Sequence, residues 1–110
     1  MAQVHNKLVR DRIPEIIESK GEIAVTDVLG DEAYLDALLG KIAEESLEIA
    51  RSDNDHLLEE LGDLETLVDA LLKVKGWTRE DLLTQQKAKD EERGTFEKRI
   101  FLVESKVKDE

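Results

Sequence analysis

Two leucine-rich segments, one on either side of a short polar turn, carry their apolar residues at the spacing of an α-helix. The pattern predicts a long helix over about residues 31–52 and a second over about residues 56–75, which ends at Gly76. Residues 52–55 are turn-forming and helix-capping side chains. Because so short a connection folds one helix back on the other, the sequence predicts an antiparallel helical hairpin.

Shorter helices are predicted on both sides of this hairpin. Pro14 suits a first helical turn, and the isoleucines that follow it continue a short helix to about Ser19. Thr78 and Asp81 have the spacing of a capping box, so a further helix is expected from there to about Arg93.

The fold class that these elements predict is all-α. Residues 23–28 are rich in β-branched side chains and residues 96–103 alternate imperfectly, so the two segments can add a small two-stranded β element. No linker or repeat divides the chain, and residues 1–110 are therefore interpreted as a single domain. A two-helix hairpin leaves apolar faces uncovered, so oligomerisation is expected to complete it to a four-helix bundle.

The charge balance narrows the range of partners. The chain has 16 Lys and Arg against 27 Asp and Glu, a net charge of -11, which argues against binding nucleic acid or membranes because both are anionic. It has no cysteine, and no apolar run approaches the ~20 residues that span a bilayer. A cytoplasmic location is the expectation.

Two pairs of acidic residues lie on the facing flanks of the predicted hairpin. Glu45 and Glu48 are three residues apart in the first helix, and Glu60 and Asp63 repeat that spacing in the second, which puts each pair on one helix face. Each pair borders an apolar stripe. A single such acid is more often an edge ion pair or surface charge, but four converging carboxylates require a cation. Oxygen-only clusters suit Mg2+, with Mn2+ as a substitute, and Mg2+ indicates phosphate chemistry.

Three blocks of the sequence extend this interpretation. The first is residues 6–17 (NKLVRDRIPEII), and the third is residues 91–100 (EERGTFEKRI). The second is the acidic motif itself, Glu44-Glu45-x-x-Glu48 followed after eleven residues by Glu60-x-x-Asp63. In this order the blocks resemble the all-α nucleoside triphosphate pyrophosphohydrolases, in particular their MazG-like and phosphoribosyl-ATP pyrophosphohydrolase-like members.

The resemblance implies a Mg2+-dependent hydrolysis of nucleoside triphosphates to the monophosphate and pyrophosphate, in sanitation of the nucleotide pool. It implies that the metal ligands are Glu45, Glu48, Glu60 and Asp63. A carboxylate of the cluster, with Glu44, Glu45 or Glu48 the nearest, would accept the proton of the attacking water. The resemblance also implies homodimers or dimers of dimers.

Basic residues concentrate near the two ends of this acidic chain. The candidates for contact with substrate phosphate are Lys7, Arg10, Lys87 and Arg93. The alternative is that these cations balance neighbouring acids such as Glu15 by local ion pairs.

Two other functions stay open at this point. The same chemistry could act on phosphoribosyl-ATP in histidine biosynthesis. A different class is a non-catalytic helical protein whose acidic patch recognises a basic partner, and the intact set of four acids weighs against it.

Overall fold

The computed structural model describes residues 1–109, and within that range it contains four α-helices and no β-strand. The helices are α1 (Ile13–Ser19), α2 (Asp31–Arg51), α3 (Asn54–Lys75) and α4 (Arg79–Arg93). The all-α prediction is therefore confirmed. The chain divides into two compact units, Met1–Trp77 and the part that begins at Thr78, and the single domain over residues 1–110 stays a prediction.

The first unit is built on α2 and α3, which pack against each other as the predicted hairpin. Leu38 of α2 is 1% exposed and Leu72 of α3 is 8% exposed, and they are the only two buried apolar side chains in the described residues. The core is thus a narrow seam between two helices, and most of the remaining apolar surface of α2 and α3 is half-buried or exposed.

The turn of the hairpin is fixed by an N-cap at Asp53. Its side-chain oxygen Oδ1 accepts a hydrogen bond from the backbone N–H of His56 at 3.0 Å, and Nδ1 of the same histidine lies 2.7 Å from that oxygen. An acidic N-cap satisfies a free N–H of the first turn and suits the positive end of the helix dipole. With the cap at this position, α3 starts at Asn54, slightly earlier than predicted.

The end of α3 is a Schellman turn. Gly76 has a φ of 73°, the backbone N–H of Trp77 bonds to the carbonyl of Leu72 at 2.9 Å, and that of Gly76 bonds to Lys73 at 3.2 Å. These bonds satisfy carbonyls that would otherwise lack a donor, and the left-handed conformation at Gly76 stops the helix where the sequence predicts.

The predicted two-stranded β element is wrong for the residues that the structure describes. Residues 21–30 form an extended link in which Ile23, Val25 and Val28 are almost fully exposed. In the other segment the N–H of Arg99 bonds to the carbonyl of Phe96, and this turn interrupts the start of the predicted strand. β-Branched residues favour a strand only where a neighbouring strand supplies packing and ladder hydrogen bonds.

The second unit consists of α4 and the chain that follows it. Thr78 accepts a hydrogen bond from the N–H of Asp81 at 3.1 Å, and the Asp81 carboxylate accepts one from the N–H of Thr78 at 2.8 Å, so the predicted capping box is confirmed. The helix ends before Gly94, which has a φ of 81°. None of the helices in residues 1–109 is long and apolar enough to cross a membrane.

Replacing Gly76 by Ala is expected to destabilise the protein by about 1 kcal/mol, because Ala resists the left-handed conformation that ends α3. The matched control is Gly40→Ala within α2, where the helical backbone favours Ala by roughly 0.5–1 kcal/mol. A Cβ atom added at either position meets nothing within 4 Å, so only the backbone conformation differs. Urea unfolding measures both free energies, and changes of the same sign would contradict this account of the helix end.

Candidate metal centre

Three carboxylates from the two hairpin helices converge on one point. Glu45 comes from α2 and Glu60 and Asp63 from α3, and one oxygen of each lies within 4.8 Å of the other two. All three side chains are half-buried. The three-residue spacing aligns Glu60 with Asp63 on one face of α3, and the packing of the helices brings Glu45 against them.

Two oxygens of this cluster are buried without a partner. With both carboxyl groups ionised, Glu45 Oε1 and Glu60 Oε2 have no hydrogen-bond donor among the residues that the structure describes. Neither residue is in a described ion pair. The alternative of an edge ion pair is therefore not seen at these two atoms. Buried carboxylate oxygens that lack a donor carry a large desolvation cost, and a cation bound between them would remove it.

The pKa of Glu45 is raised from its ordinary value of 4.5 to about 7. The largest cause is a hydrogen bond with Glu60, which can form only while one of the two carboxyl groups holds a proton. Burial raises the pKa further, and so do the negative charges of Glu60, Glu48 and Asp63. In the absence of a cation, Glu45 is therefore partly protonated at neutral pH, and its proton lies in the hydrogen bond with Glu60.

Asp63 differs from the other two acids because it has a counter-charge. Nη2 of Arg10 lies 2.6 Å from Asp63 Oδ1, although the two residues are 53 positions apart in the chain. The arginine comes from the N-terminal segment just before α1. Among the described ion pairs, this is the only one that brings a positively charged side chain to the cluster.

Glu48 and Glu44 lie beside the cluster rather than in it. Glu48 is the fourth predicted metal ligand; its side chain is exposed and is not among the three that converge. Its charge nevertheless contributes to the raised pKa of Glu45, which places it within electrostatic reach. Glu44 is exposed as well.

The predicted phosphate-binding residues have separate environments. Of these four cations, the structure brings Arg10 to the acidic cluster, and Lys7 is exposed three residues before it. Lys87 and Arg93 are exposed on α4, in the second unit. Local balancing of charge is seen at Arg12, whose Nη2 lies 3.2 Å from Glu15 Oε1.

A cleft that the sequence did not reveal opens on the first unit. It has a volume of about 420 Å3, and its lining includes Asp11, Tyr34, Thr66 and Lys73. Thr66 lies about one helical turn after Asp63, and Asp11 follows Arg10 in the chain, so two of the lining residues are close to residues of the acidic cluster and its ion pair. Its residues come from three separate parts of the chain and have no motif.

The chemistry of the cluster fits a hard divalent cation. Its donors are carboxylate oxygens only, they are already close together, and two of them lack any other partner. Glu45, Glu60 and Asp63 are therefore the candidate ligands.

Comparison with known proteins shows one similar relative. The chain is 45% identical over 47 residues to a protein of Mycolicibacterium smegmatis that is described as uncharacterized. The match covers 43% of this chain and 48% of the relative, so the chain spans about half the length of the curated relative it matches. No protein-family model matches the chain, and no solved structure matches it significantly.

The shared proton predicts how the stability of the metal-free protein depends on pH. A carboxyl group whose folded pKa lies above its unfolded value stabilises the fold at low pH, and this contribution is lost as the pH rises through the folded pKa. Because the pKa of Glu45 is about 7, stability in the presence of a chelator is expected to fall between pH 5 and pH 8. Melting temperatures measured across this pH range test the expected fall in stability.

Glu45→Gln isolates the contribution of this group. The glutamine amide donates a hydrogen bond to Glu60 at every pH, so the fall in melting temperature should be smaller than in the wild type. Glu59→Gln, which changes an exposed acid of α3, should leave the wild-type pH dependence in place. Parallel curves for Glu45→Gln and the wild type would contradict the shared proton.

Proposed function

We propose that this chain is a divalent-metal-dependent pyrophosphohydrolase of nucleoside triphosphates, of the MazG-like type. The observation that carries the proposal is the convergence of Glu45, Glu60 and Asp63 with two buried oxygens that lack a donor. The two other sequence blocks that resemble this family, residues 6–17 and 91–100, lie outside the cluster and also support the proposal.

The three converging carboxylates would hold Mg2+ or Mn2+. A bound ion of this kind neutralises polyphosphate charge and makes a coordinated water more acidic. The negative charge of the cluster attracts the ion, and the helix packing holds the carboxylates in place before it arrives. Glu48 adds a further negative charge at the edge of the cluster.

Glu48 is the carboxylate best suited to accept the proton of the attacking water. It is exposed, its charge acts on the cluster, and it is outside the set of three converging ligands. A carboxylate that ligates a cation is a weaker base, because the positive charge lowers its pKa, and this argues against Glu45 in that role. Glu44 remains a less favoured candidate.

The reaction forms one bond and breaks one. The water oxygen bonds to phosphorus on one side of the α–β bridge of the triphosphate, the bridging P–O bond breaks, and the products are the nucleoside monophosphate and pyrophosphate. Arg10 and Lys7 would contact the phosphates from the N-terminal segment, and Lys87 and Arg93 are the further candidates. The cleft lined by Tyr34, which adjoins the cluster, suits the nucleoside.

Self-association to a four-helix bundle is part of the proposal. On α2 and α3, Leu39, Leu47 and Leu61 are 49%, 55% and 41% exposed, which is costly for large apolar side chains in two adjacent helices. A second hairpin packed on this surface would cover them. A homodimer or a dimer of dimers is the expected assembly.

Neutral variants of the metal ligands test the proposed activity. Glu45→Gln, Glu60→Gln and Asp63→Asn are each expected to lower turnover of a nucleoside triphosphate with Mg2+ by at least about a hundredfold, since each removes a ligand. Helix content by circular dichroism should be unchanged. Product analysis over a panel of nucleoside triphosphates and phosphoribosyl-ATP identifies the substrate in the same assay.

Two further variants sharpen this test. Glu48→Gln should lose turnover while it still binds Mn2+, since a proton acceptor is removed and the three ligands stay. Glu59→Gln, the exposed neighbour of Glu60, should turn over at the wild-type rate. Wild-type turnover in the three ligand variants, or no pyrophosphate from any substrate of the panel, would contradict the proposal.

The proposed assembly predicts a mass that is a multiple of the 12.5 kDa chain. Sedimentation equilibrium should give a dimer or tetramer, and Leu39→Glu should shift it toward the monomer, because a charge would be buried in the interface. Asp36→Glu, one turn earlier at an exposed position of α2, should keep the wild-type mass. A wild-type monomer at micromolar concentration would contradict the bundle.

A further inference from the structure

The N-terminal segment places a cation on the cluster where the proposed function requires a metal ion. Nη2 of Arg10 lies 2.6 Å from Oδ1 of Asp63, and Asp63 is one of the three converging carboxylates. Glu45 and Glu60 meanwhile each keep a buried oxygen without a partner. The cluster is therefore divided into two acids that lack a counter-charge and one that already has it.

We infer that Arg10 is an internal competitor for the divalent cation. In the metal-free protein its guanidinium neutralises Asp63, and a divalent cation that takes Asp63 as a ligand displaces Arg10. The displaced arginine becomes free to bind phosphate. This inference rests on the proposed function, since it describes the regulation of the same site.

The ion pair between Arg10 and Asp63 is of a kind that a metal ion and water can replace. The Arg10 side chain is 57% exposed and that of Asp63 is 38% exposed, so water can replace either partner as the pair separates. An ion pair between exposed groups is weak compared with carboxylate coordination of a divalent cation. A guanidinium in contact with the carboxylate also repels a second cation at short range.

The exposed side chain of Arg10 lies outside the helices and can leave Asp63 by a change of rotamer. Arg10 precedes α1, and the residues from Met1 to Lys7 are all exposed. The backbone carbonyl of Arg10 accepts a hydrogen bond from the N–H of Ile13 at 3.1 Å, which tethers the segment to the start of α1. A displaced Arg10 side chain therefore stays close to the cluster, where a metal-bound polyphosphate would lie.

Competition between Arg10 and the divalent cation also explains why Arg10 can have two different roles. Arg10 is a candidate phosphate contact from the sequence, yet in the structure it binds an acid. Both assignments hold if the ion and its substrate replace the ion pair, because the arginine then exchanges a carboxylate for a phosphate of the same charge type. The exchange links occupation of the metal site to readiness for substrate.

Mn2+ affinity in the absence of nucleotide provides the test, with free Mn2+ measured by electron paramagnetic resonance at constant pH and ionic strength. Arg10→Gln should bind Mn2+ about two- to fivefold more tightly than the wild type, because the competing cation is gone. Arg12→Gln is the matched control: it removes the same charge two residues away, where the partner is Glu15. It should change the affinity much less.

Hydrogen exchange of the N-terminal segment gives a second readout that does not depend on affinity. In the wild type, Mg2+ should accelerate exchange in the peptide that contains residues 8–13, because the side chain that anchors it is released. In Arg10→Gln the exchange should already be fast and should respond little to Mg2+.

The outcomes separate the inference from the proposed function. Unchanged or weaker Mn2+ binding by Arg10→Gln, with binding by the wild type intact, overturns the competition and leaves the metal site standing. Slower exchange of the segment on addition of Mg2+ overturns it as well. A lack of Mn2+ binding by the wild type and both variants overturns the metal site and the competition together.

Discussion

The structure depends on three carboxylates that two helices force together. Glu45, Glu60 and Asp63 are brought close together by the packing of α2 against α3, whose apolar seam includes the buried Leu38 and Leu72. Their mutual repulsion is therefore a cost of folding, and the protein offsets it in two ways: a proton shared between Glu45 and Glu60, and an ion pair at Asp63. A bound divalent cation would replace both the proton and the ion pair. The close approach of the three carboxylates destabilises the metal-free hairpin, and it would also favour binding of a divalent cation.

The ends of α3 are fixed by hydrogen bonds, whereas the sides of the hairpin leave large apolar residues exposed. The Asp53 cap and the Gly76 turn fix where α3 begins and ends, and the packing of α3 on α2 brings Glu60 and Asp63 close to Glu45. Along the sides, large apolar residues such as Leu39 and Leu47 stay exposed, because a two-helix hairpin cannot cover them.

Much of the fold follows from the sequence, because its signals are local. The capping box at Thr78, the stop at Gly76 and the helical periodicity each depend on residues a few positions apart, and all three are confirmed. The β element was wrong because the pairing of two distant segments is not encoded in the β-branched residues of either one. For the site, the spacing of the acids predicts the convergence of four carboxylates, and the structure brings three of them together. The pairing of Arg10 with Asp63 and the cleft beside Tyr34 join distant parts of the chain and leave no local pattern.

A crystal structure of the protein grown with Mn2+, with data collected at the manganese absorption edge, tests the central claim most directly. Anomalous density is expected between α2 and α3, coordinated by oxygens of Glu45, Glu60 and Asp63. Density at other acids alone, or an empty cluster in a crystal saturated with Mn2+, would contradict it.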